Sequence, residues 1–229
     1  MKLYQTIKKH LQTKSIRQLV ANFRNEYISN GINEKDMARN PIDQFEKWFV
    51  EAVKNKVSEP NAMHLSTATV DGKPSGRIML LKGFDEKGFV FFTNYDSRKG
   101  NELKNNSFAS LTFLWLELFQ QVRIEGTVHP ISVEESATYF NSRPRGSQIS
   151  AWASSQSNIV SSRIDLEKKI REIEIRFKNK PIPRPANWGG FCLTPKSMEF
   201  WQGRANRLHD RIQYQLGQEN IWSIHRLFP

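Results

Sequence analysis

Residues 62–94 read AMHLSTATVDGKPSGRIMLLKGFDEKGFVFFTN, and this stretch decides the fold. Ala62 to Val70 reads as a strand, and Asp71-Gly72 after it is a strong hairpin signal. Arg77 to Phe84 reads as a second strand and Gly88 to Thr93 as a third. Short strands joined by tight turns predict an antiparallel sheet or barrel. The pattern continues outward through Phe108 to Leu118 and Gln121 to His129. Trp188 to Trp201, Arg207 to Tyr214 and Ile221 to Leu227 read as closing strands.

Helical patterns frame these strands. The first 30 residues read as a helix with Ile16, Leu19, Val20, Phe23 and Tyr27 on one face, stopped by Asn30-Gly31. Asn40-Pro41 is an N-cap and N1 pair ahead of Phe45, Trp48, Phe49, Ala52 and Val53 at helical spacing. Ser132 and Glu135 form a capping box for a short helix. A longer helix is expected from near Asn158, with Leu166, Ile170, Ile173 and Phe177 as its stripe and the prolines 181, 183 and 185 as its stop. No repeat or composition shift divides the chain. The expectation is one α+β domain over residues 1–229, mostly β, a barrel with peripheral helices.

Composition narrows the function classes. The chain has 229 residues, 38% hydrophobic and 25% charged, with 15 Phe and 6 Trp, which excludes disorder. A single cysteine, Cys192, excludes a disulfide framework and multi-thiolate metal sites, and fits a reducing, cytoplasmic setting. The N-terminal stretch has no apolar signal segment, and no apolar run reaches membrane-spanning length. The five histidines do not fall at metal-ligand spacing, so no metal is expected. The net charge of +11 fits a basic surface, nucleic acid or a small anionic ligand.

The positions of the cations separate these readings. Walker A, GxGxxG, HExxH and GxSxG motifs are absent. Four basic groups lie instead at strand ends and turns, mixed with Ser, Gln, Trp and Gly. Arg207, His209 and Arg211 alternate onto one face of the expected strand, beside Trp201-Gln202-Gly203. Arg77 and Lys82 bracket another strand but fall on opposite faces, so a bulge or a long ligand is needed to unite them. Ser97-Arg98-Lys99-Gly100 opens a short helix whose N-terminus suits an anion. Arg143-Pro144-Arg145-Gly146-Ser147 reads as a basic loop with bidentate donors for phosphate. Each group alone also reads as solvated surface, Gln121, Arg123 and Glu125 as a polar strand face, and Gln156-Ser157 as a helix cap. Together they fit a pocket for more than one phosphate better than a nucleic-acid stripe.

RIMLLKGFDEKGFVFFTNYDSRKG (77–100), QQVRIEGTV (120–128), YFNSRPRGSQISAWASSQS (139–157), WGGF (188–191) and EFWQGRANRLHDR (199–211) resemble the pyridoxamine 5′-phosphate oxidase family. The resemblance runs from about Arg24 to Pro229. It implies an FMN-binding split β-barrel and a homodimer with FMN in the interface cleft, touched by both subunits. It implies oxidation of pyridoxamine or pyridoxine 5′-phosphate to pyridoxal 5′-phosphate, with oxygen as acceptor, hydrogen peroxide as product and ammonia released from the amine. Residues 187–229 would supply dimer and active-site strands, and residues 1–30 a helical segment over the substrate.

By the same resemblance, FMN would be held by Arg77, Ile78, Met79, Leu80, Leu81, Lys82, Phe92, Thr93, Arg98, Lys99, Gln121, Gln156, Ser157, Trp201 and Arg211. Substrate would be held by Arg24, Tyr27, Lys82, Tyr139, Arg143, Ser147, Arg207, Leu208 and His209. Arg207 and His209 would be the catalytic pair, orienting the substrate ring and stabilising charge beside it. The proton lost by the amine goes to solvent or to His209. Three positions depart from the pattern: Phe92 for a common Tyr, Gln120 for a frequent Arg, and Leu116 for a common Pro. They bear on flavin affinity more than on reaction type. A split-barrel flavin reductase or flavin-binding protein is the alternative from the same fold.

Overall fold

The computed structural model describes residues 16–22, 26, 27 and 29–229. Phe23 and Arg24 lie outside the described residues. The helices are α1 (Ile16–Asn22), α2 (Pro41–Lys54), α3 (Arg98–Asn105), α4 (Val133–Ser142), α5 (Arg145–Ala153) and α6 (Arg163–Arg176). The strands are β1 (Ala62–Ala68), β2 (Pro74–Leu80), β3 (Gly83–Asp85), β4 (Gly88–Asn94), β5 (Phe108–Trp115), β6 (Gln120–Pro130), β7 (Trp188–Gln202), β8 (Asp210–Leu216) and β9 (Trp222–Leu227).

All nine strands join one antiparallel sheet. Its main path is β2-β1-β5-β6-β7-β4-β3, with β8 on β7 and β9 on β8. The two ends of that path, β2 and β3, are separated in sequence by only Leu81 and Lys82. The Leu81 N–H donates to the Asn61 carbonyl and the Lys82 N–H to the Val90 carbonyl, so the chain leaves β1 and joins β4 within two residues. The sheet thereby returns on itself as a split barrel. The expected single strand Arg77 to Phe84 is corrected to two strands with different partners, and Lys82 stands at the seam.

β7 is the common wall. Residues 188–193 pair with β4, residues 191–202 with β6, and residues 197–202 with β8. The register against β6 shifts between Glu125 and Gly126, opposite Ser197 and Pro195. Pro195 cannot donate to a ladder, and this irregularity accommodates it.

The core fills the barrel. Phe45 of α2 is fully buried, with Phe84, Phe89 and Phe113 edge-on, each 5.0 Å away between ring centres. Asn40 caps α2 by accepting the Ile42 N–H, as the Asn-Pro pair predicts. A second, smaller core of Phe140, Ile149, Phe177, Ile182 and Trp188 lies under α4, α5 and α6. The Ser132–Glu135 capping box of α4 is present in both directions.

Several boundaries differ from expectation. α1 ends at Asn22, and described residues between it and Asn30 are not helical. The long helix begins at Arg163, capped by Ser162, and its stripe Leu166, Ile170 and Ile173 is only half-buried. Residues 145–153 are helical, not a loop. Pro144 there precedes the first turn, where the missing N–H costs nothing. β8 begins at Asp210, because a 3-10 turn at Ala205–Arg207 precedes it, with Asn206 and Arg207 left-handed.

Replacing Phe45 with Ala removes the hub of this ring cluster. Denaturant unfolding should show a loss of about 3–5 kcal/mol, and a loss under about 1 kcal/mol would contradict the placement of Phe45 at the core's centre.

Candidate functional site

One cavity of about 450 Å³ opens between β2, β4 and the α4–α5 region. It gathers residues from most of the sequence-predicted clusters: Ile78, Met79, Leu80, Lys82, Phe92, Thr93, Tyr139, Arg143 and Gln156. Sequence reasoning missed Asn94, Ser150, Ser154 and Trp188, which also line it. Trp188 was legible as a strand residue and as part of the WGGF motif, with no site role attached to it. Its ring stacks on Phe92 at 5.4 Å, and Phe92 stacks on Tyr139 at 3.9 Å, giving the cavity an aromatic wall. Gly190 lies opposite Phe92 on β4, where a Cβ would strike the Phe92 and Ile131 side chains.

Among the described residues, three cations at this site have no carboxylate in ion-pair reach: Lys82 and Arg143, which line the cavity, and Lys99, which lies behind its Thr93 and Gln156. Lys99 is buried, and its Nζ reaches only neutral acceptors: Thr93 Oγ1 at 3.2 Å, Gln156 Oε1 at 3.1 Å and Ser97 Oγ at 3.4 Å. Burial and the Arg77 charge push its ammonium below the ordinary lysine range, against the pull of Glu102. Arg143 lies over the Trp188 ring at 4.5 Å. Its Nη1 is buried and has no hydrogen-bond partner among the described residues. Burial pushes its guanidinium below the usual range. A buried donor without an acceptor is costly unless a ligand supplies one. Gln156, expected as a cap, instead orients Thr93 and Lys99. Ser157 follows it in a left-handed conformation and does not line the cavity.

Arg77 and Arg98 share one carboxylate. Glu102 of α3 accepts from Ser75, Thr67, Arg98 Nε (2.9 Å) and Arg77 Nη2 (3.4 Å). Burial would raise its carboxyl; the hydrogen bonds from Ser75, Thr67 and Arg98 and the Arg77 charge outweigh this and hold it at about 2. The Arg77–Lys82 question is thus resolved without a long ligand: Arg77 turns to Glu102, and Lys82 lines the cavity. Ser97 caps α3 as expected. Leu81 is core, and Ser147 sits in the first turn of α5, off the cavity lining.

The remaining predicted residues form a second group at the far end of β7. Trp201 and His209 rings lie 4.6 Å apart, and Tyr27 packs on both. Gln121 pairs with Trp201 across β6 and β7, and Trp201 with Arg211 across β7 and β8. Arg211 is held by Glu199 at 2.8 Å, which also takes Arg123 at 2.7 Å. The expectation that Arg207, His209 and Arg211 share one strand face is overturned. Only Arg211 is in the strand; Arg207 is in the left-handed turn and Leu208 is exposed after it. None of this group lines the cavity.

The three departures are also placed. Phe92 carries the aromatic stack. Gln120 is buried, donating to Glu51 while its Oε1 has no partner. Leu116 is exposed at the start of a 3-10 turn.

Residues 49–177 match the family model described as pyridoxamine 5′-phosphate oxidase. The chain belongs to the pyridoxamine 5′-phosphate oxidase family. Residues 188–229 match a second model, the pyridoxine 5′-phosphate oxidase C-terminal dimerisation region. Relatives called pyridoxine/pyridoxamine 5′-phosphate oxidase include one from Nostoc sp., 51% identical over 92% of this chain and 98% of that one. Another, from Paraburkholderia phytofirmans, is 52% identical over 92% of this chain and 99% of that one. Among solved structures, PhzG from Burkholderia lata, in complex with tetrahydrophenazine-1-carboxylic acid, is similar at TM-score 0.83 and 31% identity, covering 90% of this chain and 100% of that one. An FMN-binding protein from Nostoc punctiforme shares the fold at TM-score 0.67 and 16% identity, over 84% of this chain and 100% of that one.

Glu102 gives a test by pH. Its carboxyl titrates near 2 when folded and near about 4.3 when unfolded. Its stabilising effect is therefore full above about pH 5 and fades toward pH 2. Glu102→Gln should be less stable than the parent chain near neutrality, with the difference in denaturation midpoint shrinking toward pH 2. A difference that does not change with pH would contradict this account.

Proposed function

We propose that this chain, as a homodimer, oxidises pyridoxamine 5′-phosphate and pyridoxine 5′-phosphate to pyridoxal 5′-phosphate with FMN as cofactor. The carrying observation is a pair of cations with buried donors at one aromatic-walled cavity that also holds the exposed Lys82: Arg143 in its lining and Lys99 behind Thr93 and Gln156. A flavin phosphate and a substrate phosphate are two anions for two such positions. The donor set fits FMN: a buried ammonium with neutral neighbours accepts a phosphate without a carboxylate to compete. Bound FMN would supply a two-electron acceptor for hydride.

The chain's own residues supply binding and orientation. Lys99, positioned by Thr93 and Gln156, would hold the flavin phosphate, with Arg98 and Arg77 adding charge through the Glu102 network. The β2 segment Ile78–Leu80 would lie along the flavin. Lys82, Tyr139, Arg143 and Ser147 would take the substrate phosphate. Gln121, Ser157, Trp201 and Arg211 remain proposed flavin contacts, and Arg24, Tyr27, Arg207, Leu208 and His209 proposed substrate contacts.

The family resemblance implies a site shared with the partner subunit, and the separation of the two residue groups along β7 supports it. Trp188 and Trp201 stand at opposite ends of β7, thirteen residues apart, roughly 43 Å of strand contour. No residue of the Trp201–His209 group lines the cavity of its own chain, so this reading draws the two groups of one site from different chains. In a twofold dimer, the Trp201–His209 group of one chain completes the cavity of the other. Residues 1–229 act in this reading as one unit in the cytoplasm, with oxygen as terminal acceptor and hydrogen peroxide as its product. No described helix is long and apolar enough to cross a membrane.

The visible spectrum of the FMN-loaded protein without oxygen tests the reading. Pyridoxine 5′-phosphate should bleach the flavin band, and air should restore it. Arg143→Ala should raise the substrate concentration needed at least tenfold, as expected when a charge-assisted phosphate contact worth about 1.5–3 kcal/mol is lost. A flavin band indifferent to the substrate would move the function to another split-barrel flavoprotein.

A further inference from the structure

The loop 204–210 folds back on itself around one histidine. Asn206 and Arg207 both adopt left-handed backbone, with φ of 56° and 61°. This reversal brings His209 over the start of the loop. The Arg204 backbone N–H donates to His209 Nδ1 at 3.1 Å. A backbone N–H can only donate, so Nδ1 must present its lone pair. The neutral ring therefore carries its proton on Nε2.

The same residue, Arg204, ties the loop shut. Its Nη1 pairs with Asp210 Oδ2 at 3.1 Å. Asp210 also accepts the Ile32 N–H at 3.1 Å and Arg226 Nη1 at 2.6 Å. Arg226 in turn pairs with Glu34 at 2.7 Å. Gly31 permits this approach: with φ of +74° its Cβ position lies 2.0 Å from Arg204 Nη1 and 2.4 Å from Asp210 Oδ2. The groups around the His209 ring are Trp201, Tyr27, the Arg204 N–H and the Arg207 charge. Burial and the Arg207 charge lower its pKa, favouring the neutral ring.

Building on the proposed oxidase reading, we propose that Arg204 and Asp210 are positioning residues that hold His209 with Nδ1 accepting and Nε2 protonated. His209 then serves the substrate site as a hydrogen-bond donor and not as a proton acceptor. The opposite tautomer would set two N–H groups against each other at the Arg204 contact. Of the two destinations left open for the proton lost by the amine, the geometry favours water.

Nitrogen-15 NMR of the full chain with FMN added reads the tautomer directly, with His209 assigned by its loss in His209→Gln. The expected result near neutral pH is an unprotonated Nδ1 and a protonated Nε2. A protonated Nδ1, or shifts averaged between tautomers, overturns the proposal. Arg204→Met should average the shifts and Arg204→Lys should restore them; wild-type shifts in Arg204→Met overturn the positioning role. For turnover, His209→Gln, which keeps an N–H near the ε position, should retain more kcat than His209→Asn. Equal losses overturn the donor role. The NMR result does not depend on which substrate is oxidised, so its failure is distinct from failure of the oxidase reading.

Discussion

The β7 strand is the constraint on which the rest of the structure depends. It is continuous over Trp188–Gln202 and pairs with three other strands. That continuity joins the barrel to the C-terminal β8–β9 hairpin and fixes the register of Phe92 against Gly190 and of Gln121 against Trp201. It also separates the Trp188 cavity from the Trp201–His209 group by the strand's own length. The division of the predicted residues into two groups is thus a consequence of one long strand. A twofold partner is the simplest way to reunite them.

Charge is sorted by the same framework. Three acidic side chains with little exposure, Glu102, Glu199 and Asp210, each take two arginines. These pairs brace β2 to α3, β6 to β8, and the 204–210 loop to the C-terminal strand. Lys82, Lys99 and Arg143 are left over at the cavity; Lys99 makes its hydrogen bonds to neutral oxygens, and Arg143 lies over an aromatic ring. The net charge of +11 therefore says less than its distribution. A carboxylate beside an arginine marks architecture, and a buried cation beside hydroxyls and rings marks a place for an anion.

Much of the fold was legible because its signals are local. Asp71-Gly72, Asn40-Pro41, Ser97 and the Ser132–Glu135 box each act within a few residues, and each does what its chemistry predicts. What was not legible depends on distant partners. Nothing within residues 77–84 says that the chain changes neighbours at Leu81, because that depends on Asn61 and Val90. Strand alternation carried through Arg207 to Tyr214 failed because two non-glycine residues are left-handed there. The helix at 145–153 was missed because Arg143 to Ser147 reads as turn chemistry, while only Ile149 and Ala153 of its residues are buried. The cavity residues Lys82, Tyr139, Arg143 and Gln156 were found through the family resemblance and through clustering of cations. Trp188 stood within the WGGF motif of the resemblance, but neither that motif nor the clustering of cations gave it a place in the cavity. The carboxylate partners were visible at best as an i,i+4 spacing, as for Arg98 and Glu102.

The central claim is that each site is built from the cavity of one chain and the Trp201–His209 group of the other. Subunit mixing tests it most directly. Arg143→Ala damages the first group and Arg207→Ala the second, and both homodimers should turn over pyridoxine 5′-phosphate poorly. In mixed dimers assembled from equal amounts, half the dimers would carry one wholly intact site, and activity should recover to about a quarter of the parent level. No recovery on mixing, with mixed dimers shown to be present, would mean that both groups serve the same site from one chain and would contradict the account.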